Sequence, residues 1–284
     1  MTIRIQLAQV EPTLGNLEAN RALHLAEVEA ARSEGAQAIC FPELSLTGYF
    51  LKDQTPEVAL SRESAFLEPL VEASRRISIG LGFVERGRDG RTYNSYAWLE
   101  DGLVVGLHRK VHLVSYGMFE ESRDLAAGEH YETIESKLGR LGVLICEDLW
   151  HMEGAWLYFQ QGVDALIVPS ASPARGVEAG NDGLGSVRTW RSLLETTATM
   201  TQSWVVHVNR TGWEDGISFG GGSRVIDPYG AQVGELAGLD AGRLHVDVDP
   251  REAARARTRV PLRRDEKPWI LRRELERLAE EDSR

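Results

Sequence analysis

Cysteine is scarce: the 284 residues hold two, Cys40 and Cys146. That excludes a disulfide framework, and the pair is not spaced as a Cys-x-x-Cys zinc clip. Positive charge is also in deficit, because 32 Lys and Arg face 43 Asp and Glu, a formal net charge of −11. Such a surface opposes phosphate backbones and anionic lipid headgroups, so neither nucleic acid nor a membrane is an expected partner. Long hydrophobic runs are missing too: the apolar stretches are strand-length, short of the roughly 20 residues of a bilayer span. The opening Met1-Thr2-Ile3-Arg4-Ile5 lacks the basic-then-apolar order of a secretory leader, and the expected location is a reducing cytoplasm. What is present is ordinary for a globular protein, with 42% hydrophobic and 26% charged residues, in a chain long enough to bury a large core.

Apolar periodicity alternates between strand and helix. Strands are expected at Ile3 to Val10, Ala36 to Phe41, Leu141 to Ile145, Ala165 to Pro169, Trp204 to Val208, Ser223 to Asp227 and Leu244 to Val248. Helices are expected at Leu17 to Ser33, Glu57 to Ile77, Met152 to Gln161 and Leu184 to Gln202. Between Ile79 and Lys110 two Asp-Gly turns, Asp89-Gly90 and Asp101-Gly102, predict antiparallel hairpins. The fold class is therefore α/β with mixed sheets covered by helices. No linker or repeat divides the chain, so residues 1–249 read as one domain. Residues 250–284 form a tail, rich in Arg from Arg251 to Arg264, with an amphipathic helix starting at Pro268 that suits a subunit-facing surface.

Three residues that each follow a buried strand carry the chemical signal: Glu43, Lys110 and Cys146. Side chains remote in sequence converge at the carboxyl ends of sheet strands. A thiol attacks a carbonyl or nitrile carbon as thiolate, so it needs a base, which Glu43 supplies; Lys110 and the Glu147 N–H stabilise the resulting oxyanion. Taken singly, each residue has a plainer reading, as inert thiol, strand end or edge charge. Cys40 keeps that reading, lying inside a strand without companions. His112 and His151 raise a Cys–His alternative, but a surface or hydrogen-bonded role is expected because neither has an evident orienting partner. The run Phe219-Gly220-Gly221-Gly222-Ser223 lacks the Lys and spacing of a phosphate loop and reads as a turn.

Three blocks, Phe41-Pro42-Glu43-Leu44 with Gly48-Tyr49, His108-Arg109-Lys110-Val111-His112-Leu113, and Gly142-Val143-Leu144-Ile145-Cys146-Glu147-Asp148-Leu149-Trp150, resemble the signatures of the nitrilase (carbon–nitrogen hydrolase) superfamily in order and spacing. The resemblance implies a four-layer α-β-β-α sandwich that forms a homodimer or a higher homo-oligomer. It also implies Glu43 as general base, Lys110 as oxyanion stabiliser and Cys146 as nucleophile through a thioester, with no metal or organic cofactor. A further family Glu that holds the Lys falls, counting back from Gly128, on Glu121, with Glu120 adjacent. Tyr49, Tyr116, Phe119 and Trp150 lie beside these residues as candidate pocket walls. Glu147, Ser172 and Arg175 are candidate substrate contacts, Arg175 for a substrate carboxylate.

The segments from Val111 to Glu121, Cys146 to Trp150 and Ser170 to Pro173 are similar to the glutaminase domain of glutamine-dependent NAD synthetases. The chain reaches Arg284 without a Ser-Gly-Gly-x-Asp-Ser loop for ATP. The expected function is thus a thiol amidase that hydrolyses a small linear amide to acid and ammonia. Nitrilase or N-carbamoyl amide hydrolysis is the alternative in the same class, and a partner-dependent ammonia-supplying subunit or inactive scaffold the alternative in another.

Overall fold

Strands buried at every position, such as Ala38–Cys40 and Ala165–Ser170, need cover on both faces. A second sheet supplies it on one side and helices on the other. The computed structural model describes residues 2–176 and 184–282. Its strands are β1 (Ile3–Gln9), β2 (Ala38–Cys40), β3 (Ser78–Arg86), β4 (Thr92–Glu100), β5 (Leu103–Arg109), β6 (Ile134–Ser136), β7 (Gly139–Val143), β8 (Ala165–Ser170), β9 (Trp204–Asn209), β10 (Trp213–Glu214), β11 (Ile217–Ser218), β12 (Ser223–Ile226), β13 (Gln232–Leu236) and β14 (Gly242–Val248). The helices are α1 (Leu17–Ser33), α2 (Thr55–Val58), α3 (Glu68–Ala73), α4 (Glu121–Asp124), α5 (Met152–Gln161), α6 (Gly185–Thr201), α7 (Arg251–Arg259), α8 (Leu262–Asp265) and α9 (Pro268–Asp282).

One six-stranded sheet has the order β14-β1-β2-β3-β4-β5 and the other β13-β12-β9-β8-β7-β6; β10 and β11 form a separate hairpin. Both sheets are mixed. β1, β2 and β3 are parallel, as are β7, β8 and β9, while the flanking strands pair antiparallel. Between the sheets lies a core that includes Leu7, Cys40, Trp98, Val143, Ile167 and Val206. Trp98 also bridges the layers, its Nε1 donating to Ser136 Oγ at 3.1 Å. Outside the first sheet, Val28 and Ala31 of α1 and Leu70 of α3 pack on Ile39, Leu81 and Phe83. Outside the second, Tyr158 of α5 and Leu194 of α6 pack on Leu166 and Val205. The result is the α-β-β-α sandwich. No helix among the described residues is long and apolar enough to cross a membrane.

The Asp-Gly turns form as expected, with Asp101 and Gly102 at φ 53° and 76° joining β4 to β5. The single helix expected from Glu57 to Ile77 does not form. Ala59 is extended, and Leu60 pairs with β3, donating to Val84 O and accepting from Arg86 N–H. Helix resumes only as a 3₁₀ turn at Ala65–Leu67 and as α3, which has Pro69 in its first turn. Strands β6, β10, β11 and β13 were not expected, because runs of two to five residues carry too little periodicity. Past Asp249, α7 packs back on the body: Ala253 and Ala256 are buried, and Gln202 Nε2 donates to Ala256 O and Val260 O. Packing of the body thus continues through Val260, beyond the boundary read from sequence.

His24 of α1 is fully buried, stacked 4.0 Å from Phe41, with Nδ1 2.7 Å from Asn20 O and Nε2 2.9 Å from Ser45 Oγ. Burial lowers its pKa to about 4, and that of the buried His207 to about 3. The unfolded chain binds these protons below about pH 6.5 whereas the folded chain refuses them. Stability should therefore be full above pH 6.5 and fall by a few kcal/mol as pH drops towards 4. Denaturant melts at a series of pH values check this, and His24→Gln should flatten the acid limb.

Candidate active site

Parallel pairing aligns the carboxyl ends of β2 and its neighbours in one sheet and of β7 and β8 in the other, and the hydrogen bond from Ala171 N–H, after β8, to Glu43, after β2, brings the two sets of ends together at one edge. β5 ends there as well, because it is antiparallel to β4, which is antiparallel to β3. Glu43 stands three residues past β2. Its loop lies directly on β3, where a Cβ on Gly82 would come within 2.4 Å of Leu44 N; only glycine permits that approach. Lys110 directly follows β5 and keeps the ladder, donating its N–H to Asn94 O at 2.8 Å and accepting from Gly128 N–H at 2.7 Å. Glu121 opens α4, and its Oε2 accepts from Val114 N–H at 2.9 Å. Cys146 begins a 3₁₀ turn after β7 with φ 70°, a left-handed conformation that costs a non-glycine residue of order 1 kcal/mol.

Lys110 is the hub. Its Nζ is fully buried and lies 2.7 Å from both Glu43 Oε1 and Glu121 Oε1. Glu43 Oε1 also accepts from Asn94 Nδ2, and Glu43 Oε2 from Ala171 N–H, each at 2.7 Å. Tyr49 OH donates to Glu121 Oε1 at 2.5 Å. Burial disfavours the Lys110 charge, yet Glu121 and Glu43 outweigh it and hold its pKa well above the ordinary value. Burial raises the Glu121 pKa, Lys110 opposing and Glu43 adding to the shift. Cys146 belongs to the same group. Burial and then Glu43 push its thiol well up, against Lys110 and the Ala171 N–H, which favour the thiolate. The resting sulfur is therefore a thiol.

Asp148 ties the pieces together. It is wholly buried; Oδ1 accepts from Val111 N–H (3.0 Å) and His112 N–H (2.8 Å), while Oδ2 accepts from Ile145 N–H (3.0 Å) and lies 3.0 Å from His108 Nε2. One carboxylate thus fastens the segment after Lys110 to the residue before Cys146. Sequence reading assigned it no role, although it stands in the quoted Cys146 block. Asn94 was also missed; its signal is an amide in a strand otherwise buried and mostly apolar.

The other expected residues frame the cluster. Glu121, not exposed Glu120, is the buried partner of Lys110. Tyr49 meets Phe119 edge-on at 5.9 Å and Phe219 at 6.3 Å. Exposed Tyr116 donates to both carboxylate oxygens of Glu147, at 3.0 and 3.1 Å. Arg175 lies 5.6 Å from the Phe119 ring, at the rim. Ser172 is buried and accepts from Trp190 Nε1 at 2.8 Å, and half-exposed Trp150 packs edge-on to Trp190, so Trp150 reaches the others through that ring. The Gly220 to Gly222 turn follows Phe219 and enters β12, as read from sequence. The buried pair Arg210 and Glu214 was not anticipated; Glu214 Oε2 accepts the Tyr49 and Phe50 N–H groups and so fixes the Tyr49 loop. His112 and His151 stack on each other with centroids 3.6 Å apart, and neither ring hydrogen-bonds the Cys146 sulfur among the described residues. An open groove of about 790 Å³ near Arg62, Arg88 and Glu129 lies apart from this cluster and contains none of its four residues.

Comparison with known proteins gives three findings. Residues 4–258 match the family model described as carbon-nitrogen hydrolase. The chain is 30% identical over 269 residues to a glutamine-dependent NAD(+) synthetase from Thermotoga maritima, covering 92% of this chain and 45% of that protein; it spans about half the length of such curated relatives. Among solved structures it is similar to a Saccharomyces cerevisiae member of branch 10 of the nitrilase superfamily (26% identity, TM-score 0.78, 92% and 95% of the two chains). It is also similar to an amidase variant from Nesterenkonia sp. whose active site cysteine carries the acetamide moiety of fluoroacetamide (26% identity, TM-score 0.74, 93% and 96%).

Two outcomes are expected from this geometry. Glu43→Gln removes the negative charge that raises the Cys146 pKa, so the midpoint of iodoacetamide alkylation against pH should move down. An unchanged or higher midpoint would contradict the proximity of the two groups, and Cys40, buried with a pKa of about 12, should stay unlabelled. Asp148→Asn turns an acceptor into a donor facing N–H groups and should cost about 1–3 kcal/mol in denaturant melts.

Proposed function

We propose, from the premise that the chain belongs to the carbon–nitrogen hydrolase family, that it is a thiol amidase cleaving a small primary amide to acid and ammonia through a thioester on Cys146. The observation that carries the reading is the buried Lys110 ammonium shared by Glu43 and Glu121 beside the Cys146 thiol. Glu43 takes the Sγ proton as sulfur attacks the carbonyl carbon. Lys110 and the Glu147 N–H stabilise the oxyanion, and Glu43 returns the proton to the leaving nitrogen. Ammonia departs, Glu43 deprotonates a water that attacks the thioester, and the acid leaves as the thiol re-forms. Glu121 keeps Lys110 in place and offers an acceptor for the substrate NH₂ group.

The rim suggests the substrate class. Glu147, held by Tyr116, suits an ammonium group, and Arg175 suits a carboxylate. An amide bearing an amino-acid end, such as glutamine, fits both, and relatives named as glutamine-dependent NAD(+) synthetases favour it. Delivery of the ammonia to a partner protein is then a natural second reading. The 250–284 segment, with Trp269, Leu271, Leu275 and Leu278 exposed on α9, is the part we place against another subunit.

Ammonia release by the purified chain from a panel of glutamine, aliphatic amides, nitriles and N-carbamoyl compounds tests the reading. Cys146→Ala should abolish release, and Glu43→Gln should lower kcat by about 100- to 10,000-fold. Arg175→Ala should raise KM for glutamine with little change for carboxylate-free amides. Ammonia release that persists in Cys146→Ala would remove the thioester mechanism.

A further inference from the structure

Beside the pocket lies a cluster that the hydrolytic reading does not use. We infer that His112, His151 and Glu153 form a binding site for a divalent transition-metal ion of borderline character, Zn²⁺ being the type. One donor atom from each residue lies within 4.8 Å of the others. His112 Nε2 is 2.8 Å from Glu153 Oε1, yet it is shielded from solvent and the two do not meet in hydrogen-bond geometry. His151 lies face to face with His112, ring planes 7° apart. Two imidazole nitrogens and a carboxylate oxygen are a donor set for zinc, nickel or copper and a poor one for magnesium or calcium.

The backbone around the three donors is fixed before any ion arrives. Asp148 holds the His112 N–H at 2.8 Å, and His151 and Glu153 sit at the cap and in the first turn of α5. Ligands of a tetrahedral zinc, at about 2.0–2.2 Å from the metal, stand roughly 3.3 Å from one another. Gathering these three atoms needs a shift of up to about 1.5 Å and a rotation of one imidazole out of the stack, because a metal lies in the plane of each ring it binds; the partly exposed His151 side chain has room for that rotamer change. The exposed outer side leaves a fourth position for water. His151 Nε2 is also 3.7 Å from Glu147 Oε1, so the ion would sit beside Glu147.

This inference does not depend on the hydrolase reading. Titration calorimetry on the full chain, stripped with chelator, should show one equivalent of Zn²⁺ bound with micromolar or tighter affinity, and no saturable heat with Mg²⁺. Affinity should fall at least about ten-fold in His112→Ala and in His151→Ala and persist in Cys146→Ala, which separates the site from thiol ligation. His151→Gln serves in place of a variant whose melting curve shows it unfolded. Zinc binding that survives both histidine substitutions, disappears with Cys146→Ala, or stays weaker than about millimolar would overturn the site.

Discussion

A single buried ammonium group organises this edge of the molecule. Lys110 Nζ has no exposure, and removing such an ion from water costs several kcal/mol even after relaxation. Two carboxylates at 2.7 Å offset that cost, and each is held by further donors, Asn94 and Ala171 on Glu43, Tyr49 and Val114 on Glu121. Apolar residues of similar volume commonly stabilise an interior as well as a buried ion cluster does. What the cluster adds is placement. It ties the ends of β2 and β5 and the start of α4 to one point, so three segments separated by up to 78 residues keep a fixed geometry.

Much of this was legible before any coordinates. The alternation of buried strands and amphipathic helices gives the layers, since β1, β8 and β9 are apolar-rich runs of strand length, α1 and α5 are of helix length, and all five lie within a residue or two of where the pattern puts them. Glu43, Lys110 and Cys146 were visible because each lies within three residues of the end of a strand, although β5, before Lys110, is a partly exposed edge strand and not the buried one expected. The break in the Glu57 to Ile77 helix was not, because it depends on Leu60 pairing with β3, a contact that no local propensity reports. The same holds for the Tyr49 loop, fixed by Glu214 from 165 residues away.

Asp148 shows why a motif and a mechanism are different things. In sequence it is the second of two acids after Cys146, followed by Leu149 and Trp150. In the fold its two oxygens collect three backbone N–H groups and His108, joining the turn of Cys146 to the segment of Lys110. The positive φ of Cys146 persists because the hydrogen bonds at Ile145 and Asp148 leave the turn little alternative. Strain at the sulfur is thus carried by a buried carboxylate that never touches it.

Charge counting then decides how the sulfur is activated. Two acids already share the one ammonium, and the balance of burial, Glu43 and Lys110 holds the Cys146 proton on. A standing thiolate–imidazolium pair would need a cation facing the sulfur, but the histidines of this region stack on each other and Lys110 is already shared between two acids. In the proposed mechanism the proton therefore leaves during attack rather than before it, with Glu43 as its acceptor. A neutral resting thiol resists adventitious alkylation and oxidation, so in the proposed mechanism it is the electrophile, seated against Lys110, that completes the conditions under which the sulfur reacts.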